Sequence, residues 1–127
     1  MEMVKDAINW FEIPVADFER GKKFYESIFD FEMPVMEMGP NMMGFLLCDA
    51  KAGGVGGAIV RGEGCTPSQQ GSLVYLNGGS DLSIVLGRVE PAGGKVVLPK
   101  TLINEEIGYF AIFTDSEGNR VALHSRK

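Results

Sequence analysis

Histidine and cysteine are nearly missing from this chain, which has one His and two Cys in 127 residues. Cys48 and Cys65 stand far apart with no CxxC, and His124 is remote from both, so one chain cannot assemble a tetrahedral Cys/His zinc site. The two thiols read as free, because unpaired cysteine packed as a small hydrophobe is the commoner state. Long apolar runs are lacking too. No stretch approaches the roughly 18 uncharged apolar residues of a membrane span, and Met1-Glu2-Met3-Val4-Lys5-Asp6 interrupts its apolar residues with charge. A cytoplasmic protein with no membrane partner is expected. Basic charge is thin: 12 Lys and Arg face 17 Asp and Glu, a formal net charge of −5. The cations are scattered along the chain, leaving no footprint for a nucleic-acid backbone or an anionic bilayer.

What remains suits one globular domain. The chain is 45% hydrophobic, and at this size folding buries roughly 70% of the unfolded surface, enough for a core without disulfides or structural metal. Seventeen glycines, nearly double the usual share of about 7%, imply many tight turns and a sheet-rich fold. Residues 7–15 read as a strand rich in aromatic and β-branched residues. Asp17 is placed as an N-cap, and Phe18, Gly21, Phe24, Tyr25, Ile28 and Phe29 recur at helical spacing, predicting a helix over 17–30. Short strands near 31–38, 42–49 and 55–61 follow, divided by Gly39-Pro40-Asn41 and Gly53-Gly54. The order then repeats: a strand over 71–77, a helix from Ser80-Asp81 to about 90, and strands near 95–102, 107–114 and 119–125. The last two join through Asp115-Ser116-Glu117-Gly118-Asn119, a hairpin turn with Gly where φ is positive. The expected strand starts of the halves differ by a near-constant 64 residues, the mark of a duplicated β-α-β-β-β unit. Module one spans about 1–62, a linker about 62–70, and module two about 71–127.

The entry Phe11-Glu12-Ile13-Pro14-Val15-Ala16-Asp17-Phe18, continuing to Phe24-Tyr25-Glu26, and the closing segment from Gly108 through Asp115-Ser116-Glu117-Gly118-Asn119 to Leu123, resemble the vicinal oxygen chelate superfamily. That superfamily includes glyoxalase I, bleomycin- and fosfomycin-resistance proteins and extradiol dioxygenases. Ala92-Gly93-Gly94-Lys95-Val96 is similar to its second helix exit. The resemblance covers essentially the whole chain and implies an α+β fold in which two tandem βαβββ modules form an eight-stranded, incompletely closed barrel with the helices outside. It also implies a homodimer and a small-molecule ligand, within a scaffold that hosts many chemistries.

Metal-using members carry a His in the first strand, and that slot here holds Trp10. Their final Glu falls on Ala122. The ligand opening the second half falls on Ser72, and the one in the fourth strand near Gly57 or Ala58. None is a normal donor for a divalent ion, so the metal expected of the family has no ligands and no cofactor is predicted. Alternation along strands places Glu12, Val74 and His124 on the same side as Trp10, Ser72 and Ala122. The expected pocket is thus floored by Trp10, lined by Ala58, Val60, Ser72, Val74 and Ala122, and oriented by Glu12 and His124. Two functions fit this: a small-molecule binding protein of the resistance type, or a metal-independent lyase or isomerase on a small oxygenated or thiol-conjugated substrate with Glu12 as base and His124 as its partner. Met33, Met36, Met38, Met42 and Met43 read as pliable packing. Gly53-Gly54-Val55-Gly56-Gly57 precedes a strand, not a helix, which argues against a phosphate cradle.

Overall fold

The computed structural model describes residues 1–127. The elements in chain order are β1 (Trp10–Pro14), α1 (Phe18–Phe29), β2 (Val35–Met38), β3 (Asn41–Phe45), β4 (Gly56–Arg61), β5 (Tyr75–Asn77), α2 (Ser83–Val89), β6 (Lys95–Asn104), β7 (Gly108–Thr114) and β8 (Arg120–Ser125). The strands form two four-stranded sheets, ordered β1-β4-β3-β2 and β5-β8-β7-β6. In each, the first strand runs parallel to the last and the other pairs are antiparallel. This is the expected duplicated βαβββ arrangement, and no ladder closes one sheet onto the other.

Local signals set α1. Asp17 caps it, its Oδ1 accepting from the Arg20 amide at 3.1 Å, and Asp30 ends it in a left-handed conformation with φ 52°. Its buried residues Phe18, Gly21, Phe24, Tyr25 and Ile28 form one face. That face enters a 17-residue core shared by both modules, which holds Ile13 and Ile59 of the first sheet and Phe113 and Leu123 of the second. Phe24 reaches across to Phe113, ring centroids 5.9 Å apart. Burying each such side chain contributes about 1.5–3 kcal/mol. Arg88 on α2 donates to the carbonyl of Ile28 at 3.3 Å, satisfying an orphan group at the end of α1.

β1 starts at Trp10 and not at 7, and β3 ends at Phe45 and not near 49; three further boundaries differ from expectation. β2 starts at residue 35, because Met33 is buried with its amide bonded to Glu26 Oε2 at 2.9 Å, which holds the segment before Pro34 off the sheet. β5 is only Tyr75–Asn77, so Ser72 lies outside the strand and is exposed. α2 starts at Ser83, and Asp81 instead makes an Asx turn, accepting from Ser83 N at 2.9 Å. That backbone bond, helped by Lys100, holds the Asp81 carboxyl down at about 2.

The modules are locked at a polar seam where the β7–β8 turn meets the entry of α1. The buried Asp115 carboxylate accepts four bonds: Oδ1 from the amides of Glu117 and Asn119, Oδ2 from the Tyr25 hydroxyl at 2.7 Å and Asn119 Nδ2 at 3.0 Å. Asn119 Nδ2 also donates to the Pro14 carbonyl. Glu117 Oε1 accepts from the amides of Ala16 and Asp17, and Oε2 takes Arg20 Nε at 2.5 Å. Burial alone would raise the Glu117 carboxyl, but bonds from Arg20, Asp17 N and Ser116 outweigh it and hold the group below the usual carboxylate range. Burial pushes the Tyr25 hydroxyl well up, and the Asp115 charge adds to it.

Tyr25→Phe keeps the ring and removes one donor from Asp115, and is expected to lower the unfolding free energy by about 1–3 kcal/mol in urea melts. A carboxyl depressed in the folded state stabilises the fold above its unfolded value and loses that contribution as pH falls through the folded one. Glu117→Gln is therefore expected to lower stability at neutral pH and to flatten its decline on the acid side, read as urea midpoints across pH 3–7.

Candidate functional site

Residues directly opposite one another on paired strands share a face. On the first sheet, Trp10, Glu12, Ala58, Val60, Phe45, Met43 and Met36 lie on the face turned from the main core, as the pairings Glu12↔Ala58, Phe45↔Ala58, Met43↔Val60 and Met36↔Met43 require. Met43, Ala58 and Val60 form a separate small cluster there, with Phe45 and Cys65 packed against it. Ala58 and Val60 are thus sealed, at 0% and 2% exposure, and do not line an open pocket. Trp10 is open, 42% exposed. Its ring meets Phe45 edge to face at 6.0 Å, and its Nε1 donates to Glu12 Oε2 at 3.2 Å. Gly56 makes room beside it: a Cβ there would lie 3.4 Å from both the indole and the thiol of the exposed Cys48.

On the second sheet the corresponding face carries Tyr75 and Asn77 with Ala122 and His124, paired as Tyr75↔Ala122 and Asn77↔His124. Phe110 and Ile112 complete it from β7. The expected places of Ser72 and Val74 on this face need correction: Val74 packs against the main core and Ser72 precedes the strand. The pairing of Tyr75 with Ala122 and Asn77 with His124 puts odd-numbered residues of this strand on the face, not Ser72 and Val74. By register Tyr75 takes the place that Glu12 has in the first sheet, since Glu12 pairs with Ala58 as Tyr75 pairs with Ala122. Ala122 is fully buried.

The expected pairing of Glu12 with His124 is not made. Glu12 is exposed and holds the indole N–H, while His124 Nε2 bonds the carbonyl of Ile107 at 2.8 Å. Glu12 is arranged to accept a hydrogen bond and to fix Trp10, with no partner group to receive a proton. The expected metal-ligand positions hold Trp10, Gly57 or Ala58, Ser72 and Ala122, and no three His, Cys, Asp or Glu side chains converge as a ligand set. These residues do not fit a divalent ion. No helix is long and apolar enough to cross a membrane.

A model of the Glyoxalase/Bleomycin resistance protein/Dioxygenase superfamily matches residues 7–123, and the chain belongs to that superfamily. No curated protein sequence matches it. Among solved structures it is similar to a point variant of glyoxalase I from Zea mays, with TM-score 0.71, 20% identity and 92% of this chain covered. The chain spans slightly less than half of that protein, 46% of its length. It is also similar to a glyoxalase/bleomycin resistance protein from Albidiferax ferrireducens, with TM-score 0.68, 18% identity, and 95% and 100% of the two chains covered. A family enzyme from Burkholderia phytofirmans gives TM-score 0.66 at 13% identity, with 94% of this chain and 98% of that one covered. At these identities the likeness establishes the fold.

Equilibrium dialysis against Zn²⁺, Ni²⁺, Mn²⁺ or Fe²⁺ is expected to leave far less than one ion per chain. One tightly held ion per chain, lost in Ser72→Ala, would overturn this expectation.

Proposed function

We propose that this protein is a small-molecule binding protein of the glyoxalase and bleomycin-resistance type, acting as a homodimer and taking a planar or apolar ligand against Trp10. One observation carries this reading. Where the resemblance puts a metal-binding imidazole, this chain presents a half-exposed indole on a face outside the core, its N–H fixed by Glu12 and its edge supported by Phe45. A large flat ring held in place and open to solvent is a stacking surface. The homodimer is supported by the free edges: β2 and β6 end their sheets, and Met36 and Met38 on β2 and Val97, Leu102 and Ile103 on β6 are exposed.

Trp10 is the only tryptophan, so its fluorescence reports this surface alone. Screening planar apolar compounds is expected to yield ligands that quench or shift it. Trp10→Ala should then weaken binding by about 1–3 kcal/mol while leaving the fold intact by circular dichroism. Glu12→Gln keeps an acceptor for the indole and should change affinity little; abolition of a turnover by that change would instead establish Glu12 as a base. Light scattering at tens of micromolar is expected to give twice the chain mass. A strict monomer, or an emission that no compound alters, would sink the reading.

A further inference from the structure

A second cleft lies away from Trp10, at the end of the second sheet, where β5 and β8 finish beside the β6–β7 turn. It encloses about 670 Å³, with Tyr75, Asn77, Ile103, Ile107, His124 and Arg126 among its walls. An inventory of donors and acceptors tells what it can hold. Several acceptors in its wall are engaged within the chain. Asn77 Oδ1 accepts from the Gly79 amide at 2.9 Å, and the Ile107 carbonyl accepts from His124 Nε2. Ser125 Oγ accepts from Leu82 N and gives its own proton to the Lys127 carbonyl. Because an amide N–H can only donate and a carbonyl can only accept, these bonds fix the Asn77 amide and put a proton on His124 Nε2.

The free groups are donors. Asn77 Nδ2 has no partner within the chain, the Tyr75 hydroxyl has none, and Arg126 makes no ion pair. No Asp or Glu lines the cleft; Glu105 and Glu106, at the tip of the β6–β7 turn, are outside its walls. In a chain of net charge −5, this is a cationic, donor-rich hollow beside apolar walls. His124 Nδ1, when the ring is neutral, and the Tyr75 hydroxyl oxygen can accept from a hydroxyl or N–H on the ligand. Tyr75 is tilted against Phe110 with centroids 6.3 Å apart, offering an aromatic face next to Ile103 and Ile107.

We propose that this cleft binds a small aromatic carboxylic acid, its carboxylate held by Arg126 and Asn77 Nδ2 and its ring packed on Tyr75, Ile103 and Ile107. Charge-assisted bonds to a guanidinium give the anion its advantage over a neutral analogue. The site does not depend on the Trp10 reading, since Trp10 is not among its walls. The test is calorimetric titration of the full chain at neutral pH with 3-phenylpropionate and with its neutral isostere 3-phenylpropanamide. The acid is expected to bind at least about tenfold more tightly than the amide. Arg126 is exposed, so Arg126→Gln should fold normally and abolish that preference, whereas Trp10→Ala should keep it. Equal affinity for acid and amide, a preference that survives Arg126→Gln, or no binding of the acid at millimolar concentration would each overturn the proposal. A preference lost in Trp10→Ala and kept in Arg126→Gln would move the ligand to the first sheet and overturn it as well.

Discussion

The fold rests on one buried carboxylate. Asp115 is 4% exposed and accepts four hydrogen bonds, so its charge is offset on both oxygens. Its donors come from the turn it belongs to and from α1 of the other module, 90 residues away in sequence. Such a charge is stable only while all its partners are in place, because a buried carboxylate that loses donors is left with much of its desolvation penalty. The seam therefore acts as a unit. Tyr25 positions Asp115, Asp115 and the Pro14 carbonyl position Asn119, and Asn119 Oδ1 accepts from the Ser68 amide, holding the linker.

This constraint decides which surfaces are available for binding. With the β7–β8 turn bonded to the entry of α1 and Phe24 reaching Phe113, one face of each sheet is committed to the common core. The other faces are left to face solvent, ligand or a partner. Glu117 shows how firmly the junction is made: its side chain is wholly covered although its partner Arg20 stays 56% exposed. The stabilising element is thus less the surface-exposed guanidinium than the two backbone amides of Ala16 and Asp17 that the same carboxylate satisfies.

Elements set by local chemistry were legible in the sequence. α1 has a capping Asp and an apolar stripe, and the 115–119 turn has Gly118 at φ 91°, so both were read nearly to the residue. Family membership was legible for the same reason, since the quoted segments are those that build the seam. What escaped depends on contacts distant in sequence. Glu117 and Asn119 read as turn residues, and nothing near them announces partners about 100 residues away. Leu73-Val74 looks like strand, but Val74 packs into the main core and regular pairing begins only at Tyr75. That displacement moved the expected lining of the second sheet from Ser72 and Val74 to Tyr75 and Asn77. Alternation gives the correct period, but its phase depends on where the strand begins.

The two sheets also differ in a way that the missing ligand set explains. A shared metal would tie positions on both sheets to one ion and demand donors at each. With no donor set at those positions, no such demand links the halves, and each face is organised by its own short-range bond. In the first module Glu12 accepts from the side chain two residues before it, fixing an indole; in the second, Asn77 accepts from the amide two residues after it, leaving its NH₂ free. The same βαβββ unit thereby presents an exposed indole on one side and a cleft with free donors on the other. The geometry of each is set by one hydrogen bond within its own strand end, which lets either face change its chemistry without disturbing the seam beneath.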